Sequence, residues 1–224
     1  KRYVEKTALT AAAEAHIRSM REKYEKLISV NPAVKVLEPH YSKDNKAVRF
    51  GFLKGKTLAE ILGEQITGKK APVEALKAAM DRVFGQAVLK KEPFTPTDQF
   101  KEVFGDSEEI LSLQDTSYEV SNIDGLFENL METQDGLYCL DYEWVFEFPI
   151  PAGFIRYRNL VYFYYKYEGL LDYENAVQFL SEFGMDEKLA EIYASMEVAF
   201  QTWVHGDGTQ GYMGNYKQRL VTLE

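Results

Sequence analysis

Between residues 121 and 144 the chain sets out oxygen-bearing side chains at intervals that could do chemistry. The polar stretch Ser121-Asn122-Ile123-Asp124-Gly125-Leu126-Phe127-Glu128-Asn129-Leu130 carries a carboxylate, Asp124, and an amide, Asn129, five residues apart. A second carboxylate, Asp141, stands twelve residues beyond Asn129, at the end of the apolar run Leu137-Tyr138-Cys139-Leu140, and is followed by Tyr142-Glu143-Trp144. Phosphoryl transfer from ATP needs these residue types. A carboxylate orients the acceptor hydroxyl and receives its proton, and oxygen ligands hold magnesium against the phosphates. The twelve-residue step matches a β-turn-β excursion that brings Asp141 back beside the loop.

The elements that would position this set can be read along the chain. Residues 1–8, with Tyr3 and Val4, read as a strand that ends near a threonine cap at Thr10. A helix then runs from about Ala11 to Ser29, with Ala13, Ile17, Met20, Tyr24, Leu27 and Ile28 on one face, and Asn31-Pro32 stops it. Val34–Pro39 and Ala47–Leu53 read as the two strands of a hairpin turning at Ser42-Lys43-Asp44-Asn45. Beyond Gly55 come a short helix over Thr57–Leu62, a loop at 68–71, and a helix over 72–88 opened by Pro72. Residues 91–116, with Pro93, Pro96 and Gly105, read as an irregular insertion. Strand-like pieces at Tyr118–Ile123 and Leu137–Leu140 flank the polar loop. Helices follow at about 152–170, 173–183 and 186–204, punctuated by Gly169 and Gly184. The expected class is α+β: a small mixed segment, 1–55, followed by a larger, mostly helical segment, 56–224.

Composition narrows the partners. A net charge of −9 over 224 residues argues against a nucleic-acid or anionic-membrane surface, which would need clustered Lys and Arg. The single cysteine, Cys139, allows no internal disulfide and sits in an apolar run as a small core residue. No signal peptide or run of membrane-spanning length is present. The most apolar stretch, Phe154–Leu171, is broken by Arg156, Arg158, Lys166 and Glu168. A cytoplasmic protein is expected. The start at Lys1 suggests a piece of a longer or processed chain.

The segment from Asn122 to Phe146 resembles the catalytic loop and metal-binding Asp of the protein-kinase-like superfamily. It is closer to the small-molecule and sugar kinases, which often show Asp-aromatic-Glu where protein kinases have Asp-Phe-Gly. The wording Asn-Ile-Asp, then Asn, then Leu-Asp-Tyr-Glu-Trp-Val-Phe also resembles kinase-like domains of bacterial surface-polysaccharide (O-antigen) proteins. Some of those domains adjoin methyltransferase or glycosyltransferase domains. The resemblance implies a two-lobed fold in which Asp124 is the catalytic base. Asn129 and Asp141 would be magnesium ligands, with Glu143 an additional acid near the metal. It implies that Lys6 contacts the ATP phosphates and pairs with an acid of the following helix, for which Glu14 is nearest along the chain. Backbone groups at Phe52 and Leu53 would meet adenine. The acceptor would be a hydroxyl of a sugar, glycan or other small molecule. Asn122 and Ile123 stand where His and Arg or Gly are usual, Glu143 replaces glycine, and nothing before Lys6 supplies the glycine-rich loop, so the small lobe is truncated as it stands here, its first strands either lying upstream or having been lost. Two functions remain open: an ATP- and magnesium-dependent phosphotransferase, or a non-catalytic module that positions a neighbouring transferase domain or binds its glycan.

Other features are weaker. His205-Gly206-Asp207 imitates the start of an aminoglycoside-kinase motif, but Tyr212 stands where Asn is required. Tyr157, Tyr162, Phe163, Tyr164, Tyr165 and Tyr167 follow helical spacing and read as a core-facing helix. His16 and His40 lack the spaced partners of a zinc site.

Overall fold

In the computed structural model, which describes residues 2–8, 11–85 and 88–206, strand β1 (Tyr3–Thr7) precedes helix α1 (Ala11–Val30). The expected cap at Thr10 lies outside the described residues. Ile17, Met20 and Leu27 are buried, and Tyr24 packs against the same core, as a stripe at three- and four-residue spacing requires. Ile28 is not part of that stripe; it is 49% exposed.

Of the run read as one strand from Val34 to Pro39 only β2 (Lys35–Val36) is strand, and a separate piece, β3 (His40–Tyr41), begins just after Pro39. Proline lacks the N–H that would continue a ladder, so the run breaks there. The hairpin is therefore formed by β3 and β4 (Ala47–Gly51), in the sheet order β1-β4-β3. Strand β2 instead joins a second sheet that includes residues from both sides of Gly55.

That second sheet gathers β5 (Lys56–Thr57), which opens α2 (Leu58–Gly63) through a capping box between Thr57 and Glu60. A Cβ at Gly55 would overlap the Glu132 carbonyl, so a glycine is needed where the chain enters this sheet. Helix α3 (Val73–Phe84) starts beside Pro72 as expected and ends at Phe84, four residues short of the expected limit, with Gly85 as its cap.

Residues 91–116 are not an irregular insertion. They hold β6 (Lys91–Pro93), α4 (Asp98–Phe104) and α5 (Glu108–Leu111), with Thr97 and Ser107 capping the helices. Phe100, Val103 and Phe104 share one helical face, and the two phenylalanines are fully buried. Strand β7 (Thr116–Tyr118) pairs with β6, and β8 (Ser121–Asn122) begins the candidate loop. Beyond the loop, β9 (Leu130–Thr133) and β10 (Gly136–Cys139) form a hairpin, completing the sheet order β2-β10-β9-β5. Strand β11 (Val145–Phe146) returns to pair with β8.

Three helices finish the described chain: α6 (Ala152–Tyr167), α7 (Ala176–Ser181) and α8 (Glu187–His205). The tyrosines of α6 are mostly core groups, with Tyr157 and Tyr164 buried and Tyr165 45% exposed. No described helix is long and apolar enough to cross a membrane. The class is mixed helix and strand, with small sheets and a predominance of helix.

Phe104 lies at the centre of an aromatic cluster, with ring centroids 5.3 Å from Phe100 and Phe154, 5.8 Å from Phe146 and 5.9 Å from Phe200. Phe104→Ala would leave a cavity between α4, α6 and α8. It should lower unfolding stability by about 3–5 kcal/mol, read as the shift in a urea titration. A loss below about 1 kcal/mol would mean that the 91–116 segment is peripheral after all.

Candidate functional site

The loop between β8 and β9 is shaped mainly by Asn122. Its Oδ1 accepts from the Asp124 N–H at 3.1 Å, while its Nδ2 donates to the Asp141 carbonyl and to Cys139 Sγ, each at 3.3 Å. One amide thus links the backbones that carry the two expected carboxylates. The Asn129 Nδ2 donates to the Asp124 carbonyl at 2.9 Å, and the Asn129 carbonyl accepts from the Leu140 N–H at 2.8 Å. The β9–β10 hairpin pairs Leu130 with Cys139, so the excursion inferred from the spacing returns Asp141 to the vicinity of Asn129.

Helix α6 supports the loop through side chains. Asn159 accepts from the Phe127 N–H at 2.9 Å and donates to the Gly125 carbonyl at 3.2 Å. The buried Arg158 guanidinium donates to the Ile123 carbonyl and pairs with Glu197 of α8, with Nε to Oε2 at 2.7 Å. Tyr162 and Gln201 donate to the other Glu197 oxygen at 3.0 and 2.9 Å. Asp124 lies over this support. Burial pushes its carboxyl up to about 6; Arg158 opposes that shift and Asp141 adds to it. The Trp144 N–H donates to Asp124 Oδ2 at 2.7 Å, fixing the orientation of the carboxyl.

Lys6 reaches this region from β1. Its Nζ donates to Asp141 Oδ1 at 2.9 Å and to Glu143 Oε1. Burial alone would lower the Lys6 pKa, but Asp141 and Glu143 together raise it. Glu14 does not take the role expected for it; it pairs with Lys46 at 2.9 Å and Arg18 at 3.2 Å. Proximity along the chain misled here, because the rotation of α1 points other residues at the site. They are His16, whose Nε2 lies 3.5 Å from Glu143 Oε2, and Lys23, whose Nζ donates to the Glu143 carbonyl. The His16 imidazole and the Lys6 ammonium hold Glu143 down to about 2, against the effect of burial. Their ring partner is Trp144, 5.1 Å from His16 and 5.8 Å from the Lys23 ammonium.

Phe52 and Leu53 follow β4, in the connection to β5. The Phe52 N–H already donates to the Arg2 carbonyl at 3.2 Å, so it is not available to a base as expected. Burial pushes the Cys139 thiol up to about 12, which leaves it protonated and unsuited to nucleophilic chemistry. His205 ends α8, whereas Asp207 and Tyr212 lie outside the described residues.

Among the described residues no three His, Cys, Asp or Glu side chains are placed as a ready-made metal cage. Magnesium is commonly held by one or two carboxylates completed by phosphate oxygens and water. Asp141, Asn129 and Glu143 offer the hard oxygen donors that such a site requires, and they suit magnesium in chemical type. No protein-family model matches the chain, and no curated protein does so either.

The raised Asp124 pKa predicts a pH-dependent cost of folding. An unfolded aspartate titrates near ~4, so the folded state binds more protons between about pH 4 and about pH 6. Stability attributable to this group therefore falls as pH rises through that window and is flat above it. Asp124→Asn should be more stable than wild type by about 1–3 kcal/mol at pH 8. That gain should vanish below about pH 4, as read in paired urea titrations. An equal gap at both pH values would mean that the gain does not come from titration of Asp124.

Proposed function

We propose that the chain is an ATP- and magnesium-dependent phosphotransferase with a two-lobed, kinase-like arrangement. Residues 1–55 would belong to a small lobe and residues 56–224 would form a mostly helical large lobe. The observation that carries this proposal is the convergence of Lys6, Asp141, Asn129 and Asp124. Lys6, 135 residues away along the chain, is 2.9 Å from Asp141, and within the loop Asn129 is hydrogen-bonded to the Asp124 backbone.

In the proposed reaction the acceptor hydroxyl donates its hydrogen bond to Asp124. Its oxygen forms a bond to the γ-phosphorus as the bond to the β–γ bridging oxygen breaks. The proton passes to the Asp124 carboxylate, and ADP leaves with the electron pair. A buried carboxyl near about 6 is well matched to accepting a proton near neutral pH. Lys6 steadies the phosphates. Asp141 and Asn129, with Glu143 beside them, would hold magnesium, which supplies charge neutralisation on the phosphate oxygens. Positioning and electrostatics supply most of the rate, as is usual for this chemistry. The acceptor is a sugar, a glycan or another small hydroxyl compound. The resemblance to surface-polysaccharide kinases favours a glycan in bacterial surface-polysaccharide synthesis, with ATP as donor.

A second function is favoured by one observation. Lys6, Asp141 and Glu143 form an ion-paired cluster, an arrangement that suits a non-catalytic kinase-like module that positions a neighbouring methyltransferase or glycosyltransferase domain or binds its glycan.

Calorimetry distinguishes the two. The wild-type chain should bind MgATP, and Asp141→Ala should lose the magnesium-dependent part of that binding. With a glycan acceptor, Asp124→Ala should lower turnover by roughly 10²–10⁴-fold while leaving nucleotide affinity nearly unchanged. Magnesium-dependent binding that survives Asp141→Ala would remove the metal assignment. Absence of nucleotide binding by the wild type would favour the non-catalytic module.

A further inference from the structure

Helix α1 presents two nitrogen donors to the site, seven residues or about two turns apart on one face: His16 and Lys23. Neither is fully satisfied. The His16 Nε2 is buried without a hydrogen-bond partner, and its approach to Glu143 Oε2, at 3.5 Å, is an ion-pair distance only. Lys23 is half-buried, and its hydrogen-bond acceptor is a neutral backbone carbonyl, that of Glu143. Among the described residues no carboxylate lies within ion-pair distance of the Lys23 ammonium, although Glu143, Asp124 and Asp141 all act on it electrostatically. Placing an ammonium in such a setting carries a desolvation cost, and a multivalent anion bound beside it would offset that cost.

The neighbouring charges indicate what the anion is. Lys6 is paired with both Asp141 and Glu143, and His16 lies 3.5 Å from the other Glu143 oxygen, whereas Lys23 meets only the Glu143 carbonyl and so has its charge least directly compensated. Glu143 gathers them, its carboxylate meeting Lys6 and His16 and its backbone carbonyl meeting Lys23. A phosphate chain carries several acceptor oxygens and can engage more than one nitrogen donor at once, whereas a single carboxylate offers two. The position between Asp141 and Asp124 is also where the transferring group must lie if those two residues act as proposed.

Resting on the phosphotransferase proposal, we infer that Lys23 and His16 join Lys6 in a polyphosphate site, so that side chains from α1 contact the nucleotide phosphates. In the described small segment this cationic face would do the work that backbone amides of a glycine-rich loop do elsewhere.

The test is calorimetric, on the full chain, with three probes: a non-hydrolysable ATP analogue with magnesium, inorganic tripolyphosphate, and adenosine. Lys23→Met should weaken the analogue and tripolyphosphate by roughly ten- to a hundredfold, the loss expected for one charge-assisted contact, and leave adenosine unchanged. Lys23→Arg should restore most of the affinity, which separates lost charge from lost folding. His16→Phe keeps a ring against Trp144 and should weaken the same two probes. Lys77→Met, on α3, should match wild type. If the analogue binds wild type, Lys23→Met and His16→Phe equally, the inference is overturned while the phosphotransferase proposal stands. Lys23-dependent binding of tripolyphosphate with no binding of the analogue or adenosine would keep the anion site and remove the phosphotransferase. Failure of all three probes with wild type would overturn both.

Discussion

The Arg158 guanidinium is buried between α6 and α8, and it donates to a backbone carbonyl one residue before Asp124. Removing a guanidinium and a carboxylate from water is costly, and the attraction between them offsets that cost only when the remaining donors and acceptors are also satisfied. Here they are engaged: Glu197 takes hydrogen bonds from Arg158, Tyr162 and Gln201. A hydrophobic replacement of this pair could preserve the packing, but it would leave the Ile123 carbonyl without its buried donor. The loop geometry depends on that contact and on the neighbouring Asn159, because the loop has no regular ladder of its own between β8 and β9. Helix α6 therefore supports the candidate chemistry while contributing no reacting group.

Above that support the charges are arranged by competition. Asp124 is pushed toward the protonated form by burial and by Asp141, whereas Glu143 is drawn strongly toward the ionised form by His16 and Lys6. Acids close together in the chain thus have opposite tendencies, one suited to exchanging a proton and one to holding cations in place. Trp144 separates these environments. Its backbone orients Asp124, its ring lies against His16 and Lys23 on one side, and Phe200 and Trp203 meet it on the other.

Much of the arrangement around Asp124 was legible because it is local. The hairpin that returns Asp141 to Asn129 needs only the residues between them, and its apolar alternation and turn residues are visible in the chain. The α6 tyrosines likewise follow a pattern that spans only a few turns. What could not be read depends on distant partners. Arg158 meets Ile123 and Glu197 only after folding brings α6, the loop and α8 together. Asn122 looked like a departure from a familiar pattern, yet its amide bonds to Asp124, Asp141 and Cys139. The spacing of Phe100, Val103 and Phe104 did carry a helical signal in 91–116, but prolines and a glycine obscured it. The spacing of His16, Met20, Lys23 and Leu27 likewise put two polar groups on the buried face of α1, a cue outweighed by the nearness of Glu14 to Lys6.

The protein has only two tryptophans, Trp144 and Trp203, and their rings lie 5.4 Å apart, edge to face, next to the candidate site. Every indole chromophore in the chain therefore belongs to one coupled pair, bordered by an imidazole and an ammonium on one side. Ultraviolet emission and near-ultraviolet dichroism are dominated by this pair rather than averaged over the molecule. A small displacement of α1 against α8, too slight to alter helix content, would thus change the optical spectrum of the unlabelled protein.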